Sequence, residues 1–252
     1  MKICIDRQFC EVLKEKLADY VNRTARTPDG KYHVSELLNP RFAYFQRIKG
    51  SPSYPDRAWM FLPGVAFHEL LQKIMGRDFA EKQVGLEDIV GTVDMVGAMF
   101  SEIKTSRKYT IPIDPEPHYV EQFEKYLSIA GQLFGWIIVI YFVAGRKWDG
   151  SKPSKLEIVT WKVTMTAEEQ EKVRQDLISR RDMLMAAEEE ENHEQLPLCW
   201  EFMCASVYKG KVDEICPHYD ECRPQGRYPL KFIIRASDEK YNTKQRAIEA
   251  KL

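Results

Sequence analysis

Runs of apolar residues along the chain first indicate β-strands. The longest run, residues 136–144, is rich in β-branched and aromatic side chains and predicts a buried strand. Residues 156–164 alternate between polar and apolar and predict a neighbouring strand, reached through a polar connection that contains Gly and Pro. In residues 92–105, apolar positions surround Gly97 and Ala98, which is typical of two short strands joined by a tight turn.

Apolar residues at helical spacing indicate helices between these strands. Pro63 marks the first turn of one predicted helix, and its apolar stripe consists of Phe67, Leu70, Leu71 and Ile74. A second stripe runs through residues 119–133. Thr166 followed by acidic residues predicts a capped helix that extends to about Glu190.

These elements predict an α/β fold, with a mixed central sheet of about four or five strands flanked by helices. We expect a helical N-terminal segment at residues 1–60 and the α/β core at 61–192. A cysteine-rich C-terminal lobe and tail would then occupy residues 193–252.

Composition is that of a compact globular protein. The 252 residues are 44% hydrophobic and 12% aromatic, enough for one substantial core. The formal net charge of −1 provides no global basic field, so any nucleic acid would have to be attracted by local basic clusters. The longest apolar run is too short to cross a membrane as a helix, and no signal peptide is apparent, so we expect a cytoplasmic protein without membrane association.

The residues best suited to chemistry are Asp94, Glu102 and Lys104, at the two short strands of residues 92–105. Glu102 and Lys104 are two positions apart and would share one face of a strand, while Ile103 points into an apolar layer. Carboxylates are hard ligands that suit Mg²⁺ or Mn²⁺, and an ammonium group can offset charge that develops in a transition state. Alternatively, these are solvated polar positions on a half-exposed hairpin.

Three further polar residues extend this set. His68 lies at the edge of the first helical stripe, where its imidazole would complete a metal site or simply pack. Gln122 and Tyr126 lie one turn apart on the second predicted helix. Their polar ends would line a groove for DNA, or cap a core helix.

The order of these residues resembles the PD-(D/E)xK nuclease superfamily, and more narrowly its RecB-like branch. That branch includes the nuclease domains of RecB and AddB and the fourth CRISPR-associated (Cas) protein. The matching phrases are Gly64-x3-His68-Glu69, Gly91-x2-Asp94, Glu102-Ile-Lys104-Thr105-Ser106 and Gln122-x3-Tyr126. The segment from His33 to Phe45 also resembles the N-terminal segment of the family.

The resemblance implies a restriction-endonuclease-like core and a metal-dependent DNA nuclease. His68, Asp94, Glu102 and the backbone carbonyl of Ile103 would hold Mg²⁺ or Mn²⁺. Lys104, Gln122 and Tyr126 would join Asp94 and Glu102 as catalytic residues. Glu81 would be an accessory acid, and Arg107 and Lys108 would contact DNA.

The activity implied is that of an exonuclease on single-stranded DNA or duplex ends, with an integrase, helicase or recombination protein as possible partner. The alternative is a DNA-end-binding assembly subunit for CRISPR spacer acquisition or recombination, in which cleavage is secondary. A second rival is a metal-stabilised interaction module whose acids are incidental.

Four of the six cysteines lie close together near the C-terminus. Cys199, Cys204, Cys216 and Cys222 follow the spacing C-x4-C-x11-C-x5-C, and clustered cysteines in a reducing compartment favour a metal site. Only the last two match the iron–sulfur members of the RecB-like family, since Asp213 and Asn39 stand where other ligands are expected. We therefore expect the four C-terminal cysteines to hold a 4Fe-4S cluster, with zinc or reduced packing thiols as alternatives.

Overall fold

The computed structural model describes residues 29–50, 58–75, 81–96, 99–106, 108–142, 145, 147, 150–152, 157–197, 199, 205–208, 211–214, 216, 218 and 222. Within them the helices are α1 (Val34–Leu37), α2 (Pro40–Lys49), α3 (Ala58–Met75), α4 (Pro117–Ala130) and α5 (Ala167–Glu189). The strands are β1 (Tyr32–His33), β2 (Lys82–Leu86), β3 (Ile89–Val93), β4 (Ser101–Ser106), β5 (Phe134–Tyr141), β6 (Glu157–Thr164), β7 (Ala205–Tyr208) and β8 (Lys211–Glu214).

The strands form two mixed three-stranded sheets and a two-stranded pair. In the first sheet the order is β1-β3-β2, with β1 parallel and β2 antiparallel to β3. In the second the order is β4-β5-β6, with β4 parallel and β6 antiparallel to β5. β7 and β8 pair antiparallel. Helices flank these sheets, so the predicted mixed α/β class is confirmed.

The two three-stranded sheets meet at one isolated antiparallel bridge between Met95 and Ser101, where the sequence led us to expect one sheet. The bridge consists of two backbone hydrogen bonds of 3.1 and 3.0 Å. Two residues further along β4, the Ile103 N–H donates to the Asp94 side chain at 2.6 Å. Because that N–H is engaged by a carboxylate, it does not extend a backbone ladder between β3 and β4.

Most of the predicted elements are present near their predicted positions. β5 and β6 match the two strands predicted around residues 136–164, and they pair over eight residues. α5 begins with the predicted cap, in which the Thr166 hydroxyl accepts from the Glu169 N–H at 3.2 Å and the Glu169 carboxylate accepts from the Thr166 N–H at 2.8 Å. The prediction that Pro63 lies in the first turn of its helix was wrong. α3 begins at Ala58, five residues before Pro63, and the helix continues through this proline.

α4 connects the parallel strands β4 and β5 and packs closely on the sheet. A Cβ added to Gly135 of β5 would lie 2.6 Å from the Phe123 ring, so only glycine permits this approach. α4 ends at Gly131, whose φ of 66° and N–H bonded to Leu127 and Ser128 carbonyls form a left-handed cap.

The described chain divides into two compact units. One comprises the described residues among 1–35 and 53–179 and contains both three-stranded sheets. The other comprises those among 36–52 and 180–252. In it, the buried Arg41 guanidinium donates to the Leu196 and Glu194 carbonyls, and Phe45 stacks on His218 with ring centroids 5.1 Å apart. The domain boundaries expected at residues 60 and 192 stay predictions.

Among the described helices, none has the length and apolar content needed to span a membrane.

Candidate active site

A cavity of about 670 Å³ in the unit with the two sheets gathers the polar residues selected from the sequence. Its lining includes all seven of the predicted nuclease-site residues, namely His68, Asp94, Glu102, Ile103, Lys104, Gln122 and Tyr126. They come from α3, the end of β3, β4 and α4. The structure therefore brings together side chains that are up to 58 positions apart in the chain, between His68 and Tyr126.

Strand alternation places the β4 residues as expected. Ile103 is 8% exposed and packs in an apolar cluster with Met95 and Ile140, with Phe67 at its edge. Its neighbours at positions 102 and 104 therefore present their side chains to the opposite face. α3 comes close to β4, since a Cβ on Gly64 would lie 3.2 Å from the Thr105 hydroxyl oxygen.

His68 lies between two carboxylates. Its Nε2 is 2.8 Å from Asp94 Oδ1, and its Nδ1 is 3.3 Å from Glu81 Oε1. The hydrogen bond to Asp94 is the main reason that the pKa of His68 is raised, and it outweighs the effect of burial. The other Asp94 oxygen accepts the Ile103 N–H at 2.6 Å, which fixes the carboxylate on the strand.

Glu102 and Lys104 form a close ion pair beside this histidine. Lys104 Nζ donates to Glu102 Oε1 at 2.6 Å, and Glu102 is only 3% exposed. Burial raises the pKa of Glu102 to about 7, an effect that the Asp94 charge increases and the Lys104 charge opposes. Burial works to lower the pKa of Lys104, but the charges of Glu102 and Asp94 outweigh it and raise that pKa overall.

One oxygen of Glu102 is left without a hydrogen bond. Within the described part of the chain, the buried Oε2 atom has no partner. A buried carboxylate oxygen without a donor is costly, because the water it lost is not replaced. A cation or a donated proton in the cavity would remove that cost.

Gln122 and Tyr126 form a hydrogen-bonded pair on α4. Gln122 Nε2 donates to the Tyr126 hydroxyl at 2.8 Å, and Tyr126 is 3% exposed. Burial is the main cause that raises the pKa of Tyr126, so its phenol stays neutral near pH 7. The ring fits against β3 because Gly91 has no side chain, since a Cβ there would lie 2.6 Å from a ring carbon.

Tyr119, one turn before Gln122 and two turns before Tyr126 on α4, also contacts the site. Lys104 Nζ lies 5.8 Å from the centroid of its ring, within the range of a cation–π contact. The sequence suggested Tyr119 only as part of an apolar stripe. Its position relative to Lys104 depends on how α4 packs against β4, which periodicity does not specify.

The cavity contains a set of ligands suited to a metal ion. Within the described ranges, His68, Glu81 and Asp94 form the group of possible ligands whose donor atoms all lie within 4.8 Å of one another. Glu81 is thus placed where the sequence suggested an accessory acid. Glu102 lines the same cavity but is not in this group. An imidazole with two carboxylates fits a divalent cation such as Mn²⁺ or Mg²⁺.

Four other polar residues line the cavity although the sequence assigned them no role in the site: Ser35, Glu69, Thr92 and Thr105, of which Glu69 and Thr105 belong to the motif phrases. Thr92 lies on β3 two positions before Asp94, which directly follows that strand, so strand alternation could have revealed it. Ser35 lies near the start of the described chain, and no local pattern marks it.

The remaining predicted residues lie elsewhere or outside the described ranges. The Lys108 ammonium pairs with Glu116, and Arg107 is outside the described residues. Cys199, Cys216 and Cys222 are each partly buried, and Cys204 is outside the described residues. The DNA contacts and the four-cysteine site therefore stay predictions.

No family model and no curated protein matches the chain. Among solved structures, SSO0001 matches with a TM-score of 0.45 and 16% identity, over 68% of this chain and 86% of that one. The alkaline exonuclease LHK-Exo from Laribacter hongkongensis matches with a TM-score of 0.39 and 13% identity, over 64% and 91% of the two chains. A phage-related exonuclease from Haemophilus somnus 129PT matches with a TM-score of 0.39 and 13% identity, over 63% and 83%.

All three TM-scores are below one half, and all three identities are low. Such similarities do not identify a function. The function must be inferred from the geometry of the cavity and from the residues that line it.

Proposed function

We propose that this protein is a divalent-metal-dependent deoxyribonuclease that hydrolyses phosphodiester bonds. One observation carries the proposal: the ligand group of His68, Glu81 and Asp94 lies in the same cavity as the ion pair of buried Glu102 with partly buried Lys104. Metal ligands and a cation beside them are the groups that hydrolysis of a phosphodiester requires.

His68, Glu81 and Asp94 would hold Mg²⁺ or Mn²⁺, and Glu102 lines the same cavity. When bound, the metal supplies a polarised phosphoryl oxygen and a water of lowered pKa. The absence of a hydrogen-bond partner at the buried Glu102 Oε2 within the described residues supports this arrangement, because a nearby cation would stabilise a carboxylate oxygen that no donor contacts. Ile103 contributes its N–H to Asp94, and its carbonyl is proposed as a further ligand.

Lys104 acts as a fixed positive charge in this proposal. Its raised pKa keeps the ammonium protonated at neutral pH, so it donates hydrogen bonds and offsets negative charge on the phosphoryl oxygens. Glu102 orients it through the 2.6 Å ion pair. The Gln122–Tyr126 pair supplies neutral donors at the wall of the cavity, where they would orient the phosphodiester.

The test is cleavage of 5′- and 3′-labelled single- and double-stranded DNA in Mn²⁺, Mg²⁺ or EDTA. We expect cleavage only with metal, and a loss of at least about 100-fold in Glu102→Ala and Lys104→Ala. The matched control removes the exposed Glu168–Lys172 pair of α5, whose atoms are 2.8 Å apart, and should leave the rate unchanged. Undiminished cleavage by both site variants would exclude the proposed role.

Exonuclease action on single strands or duplex ends is the finer proposal, and the order of the motif phrases supports it. The same order supports the RecB-like affiliation and a DNA-processing partner such as an integrase or helicase. Products from the two end labels decide between exonuclease and endonuclease action, since stepwise loss from one end gives mononucleotides from that label first.

For the C-terminal lobe we propose a structural 4Fe-4S cluster held by Cys199, Cys204, Cys216 and Cys222. The support is their spacing and their clustering within 24 residues. Iron and sulfide analysis of anaerobically purified protein tests it. Stoichiometric zinc without iron would replace the cluster with a zinc site.

A further inference from the structure

Tyr109 is an exposed aromatic residue that the fold holds in place. It is 66% exposed, yet its carbonyl accepts the Gly145 N–H at 2.8 Å. Its ring lies so close to Gly145 that a Cβ on that glycine would overlap the Cε2 and Cζ atoms. A ring held in this way has little conformational entropy left to lose when something stacks on it.

The segment that follows Tyr109 is anchored at two points. Ile111 is fully buried, and the Trp161 indole N–H donates to the Ile113 carbonyl at 2.9 Å. Tyr109 follows Lys104 by five positions, so their Cα atoms can be at most about 18 Å apart, at about 3.6 Å per residue. The exposed ring is therefore within a few nucleotides of the candidate active site.

A pair of rings in contact with each other lies beside the candidate active site. Beside Lys104 lies the Tyr119 ring, and the His118 ring contacts Tyr119 edge-on at 4.3 Å. Burial lowers the pKa of His118, and the charges of Lys104 and Lys108 add to this effect, whereas the charge of Glu116 opposes it. Near pH 7 it is an uncharged ring rather than a cation.

We propose that Tyr109, supported by Gly145, is a stacking platform for a nucleobase of the DNA strand that enters or leaves the active site. This rests on the proposed nuclease function. The favoured interaction is stacking rather than charge, because Lys108 is paired with Glu116 and the chain as a whole has a net charge of −1. Every base offers a π-face, so such a platform serves a nuclease without sequence preference.

The test compares Tyr109→Ala with Tyr109→Phe in binding to fluorescein-labelled (dT)20, measured by anisotropy in EDTA so that no cleavage occurs. We expect Tyr109→Ala to weaken binding by at least about fivefold, and Tyr109→Phe to bind within about twofold of the wild type. Gly145→Ala should weaken binding as well, because its Cβ displaces the ring. The matched control is Phe134→Ala, an aromatic that is 47% exposed at the far end of β5, which should bind as the wild type does.

An abasic oligonucleotide of the same length separates stacking from other effects. If Tyr109 stacks on a base, the difference between wild type and Tyr109→Ala shrinks on the abasic strand. Equal binding of (dT)20 by wild type and Tyr109→Ala, or an equal loss on both strands, would overturn the proposal. If the wild type still cleaves DNA with Mn²⁺, these two results remove only the stacking proposal and leave the nuclease proposal standing. If the wild type binds DNA but never cleaves it, only the nuclease proposal is removed.

Discussion

At the scale of single residues, the protonation state of Glu102 links stability to pH. Its folded pKa of about 7 exceeds the ordinary value of 4.5, so the folded protein holds a proton that the unfolded chain has lost between these values. The ionisation of Glu102 therefore lowers the free energy of unfolding as the pH rises from about 4.5 to about 7. Above about pH 7 the loss is complete.

Glu102→Gln removes this ionisation. We expect the difference in free energy of unfolding between Glu102→Gln and wild type, measured in EDTA, to shift in favour of the variant by about 1–3 kcal/mol on going from pH 5 to pH 8. Urea denaturation of both proteins at the two pH values measures it. Parallel pH profiles would show that Glu102 is not held in its protonated form.

Metal binding should depend on pH through the same cavity. The pKa of His68 is raised and that of Glu102 is about 7, and each must lose its proton before its atoms can ligate. We expect Mn²⁺ affinity to fall as pH drops below about 7, with proton release on binding. Calorimetry in two buffers of different ionisation enthalpy measures that release, and an affinity that is constant from pH 6 to 8 would contradict it.

At the scale of elements, the contact between α4 and β3 depends on Gly91. An alanine Cβ there would lie 2.6 Å from the Tyr126 ring, so Gly91→Ala should destabilise the fold by about 1–3 kcal/mol and displace Tyr126 from the cavity. Thermal and urea denaturation measure the loss of stability, and the DNA assay measures the loss of activity.

A double variant shows whether the clash is the cause. Tyr126→Leu removes the ring, so Gly91→Ala should cost less stability in that background than in the wild type. If the two substitutions are additive, Gly91 acts through some other contact.

Elements that depend on local signals were predicted well. β5, β6 and α5 are marked by β-branched runs, alternation and a capping box, each of which operates within a few residues. The predicted start of α3 was wrong, because proline is preferred in the first turn of a helix but is not confined to it. One sheet was predicted where the structure has two, and beside their junction the Asp94 side chain accepts the Ile103 N–H, a contact that no pattern of hydrophobicity contains.

The candidate site was predictable as a set of residues but not as a geometry. Motif order selected seven residues that line one cavity. The position of Glu81 against the second nitrogen of His68, and the Tyr119 ring beside Lys104, arise from packing between distant elements. Neither has a sequence spacing that would distinguish it.

At the scale of the whole molecule, a bound metal should stabilise the unit that contains both three-stranded sheets. A ligand that binds only the folded state adds about 2.7 kcal/mol at 100 times its Kd. We therefore expect Mn²⁺ to raise the Tm of that unit, measured by calorimetry, by several degrees, at about 2–4 °C per kcal/mol. His68→Ala should abolish the shift, and an equal shift in that variant would place the bound ion elsewhere.

The connection of β4, α4 and β5 also has a consequence for the order in which the site forms. The strands are parallel and adjacent, so this strand–helix–strand unit brings Glu102, Lys104, Gln122 and Tyr126 together within 41 consecutive residues, from Ser101 to Tyr141. His68 must join from α3, a separate helix outside this unit. The ion-pair half of the site therefore needs only the strand–helix–strand unit, whereas the metal-binding half forms only when α3 has docked as well.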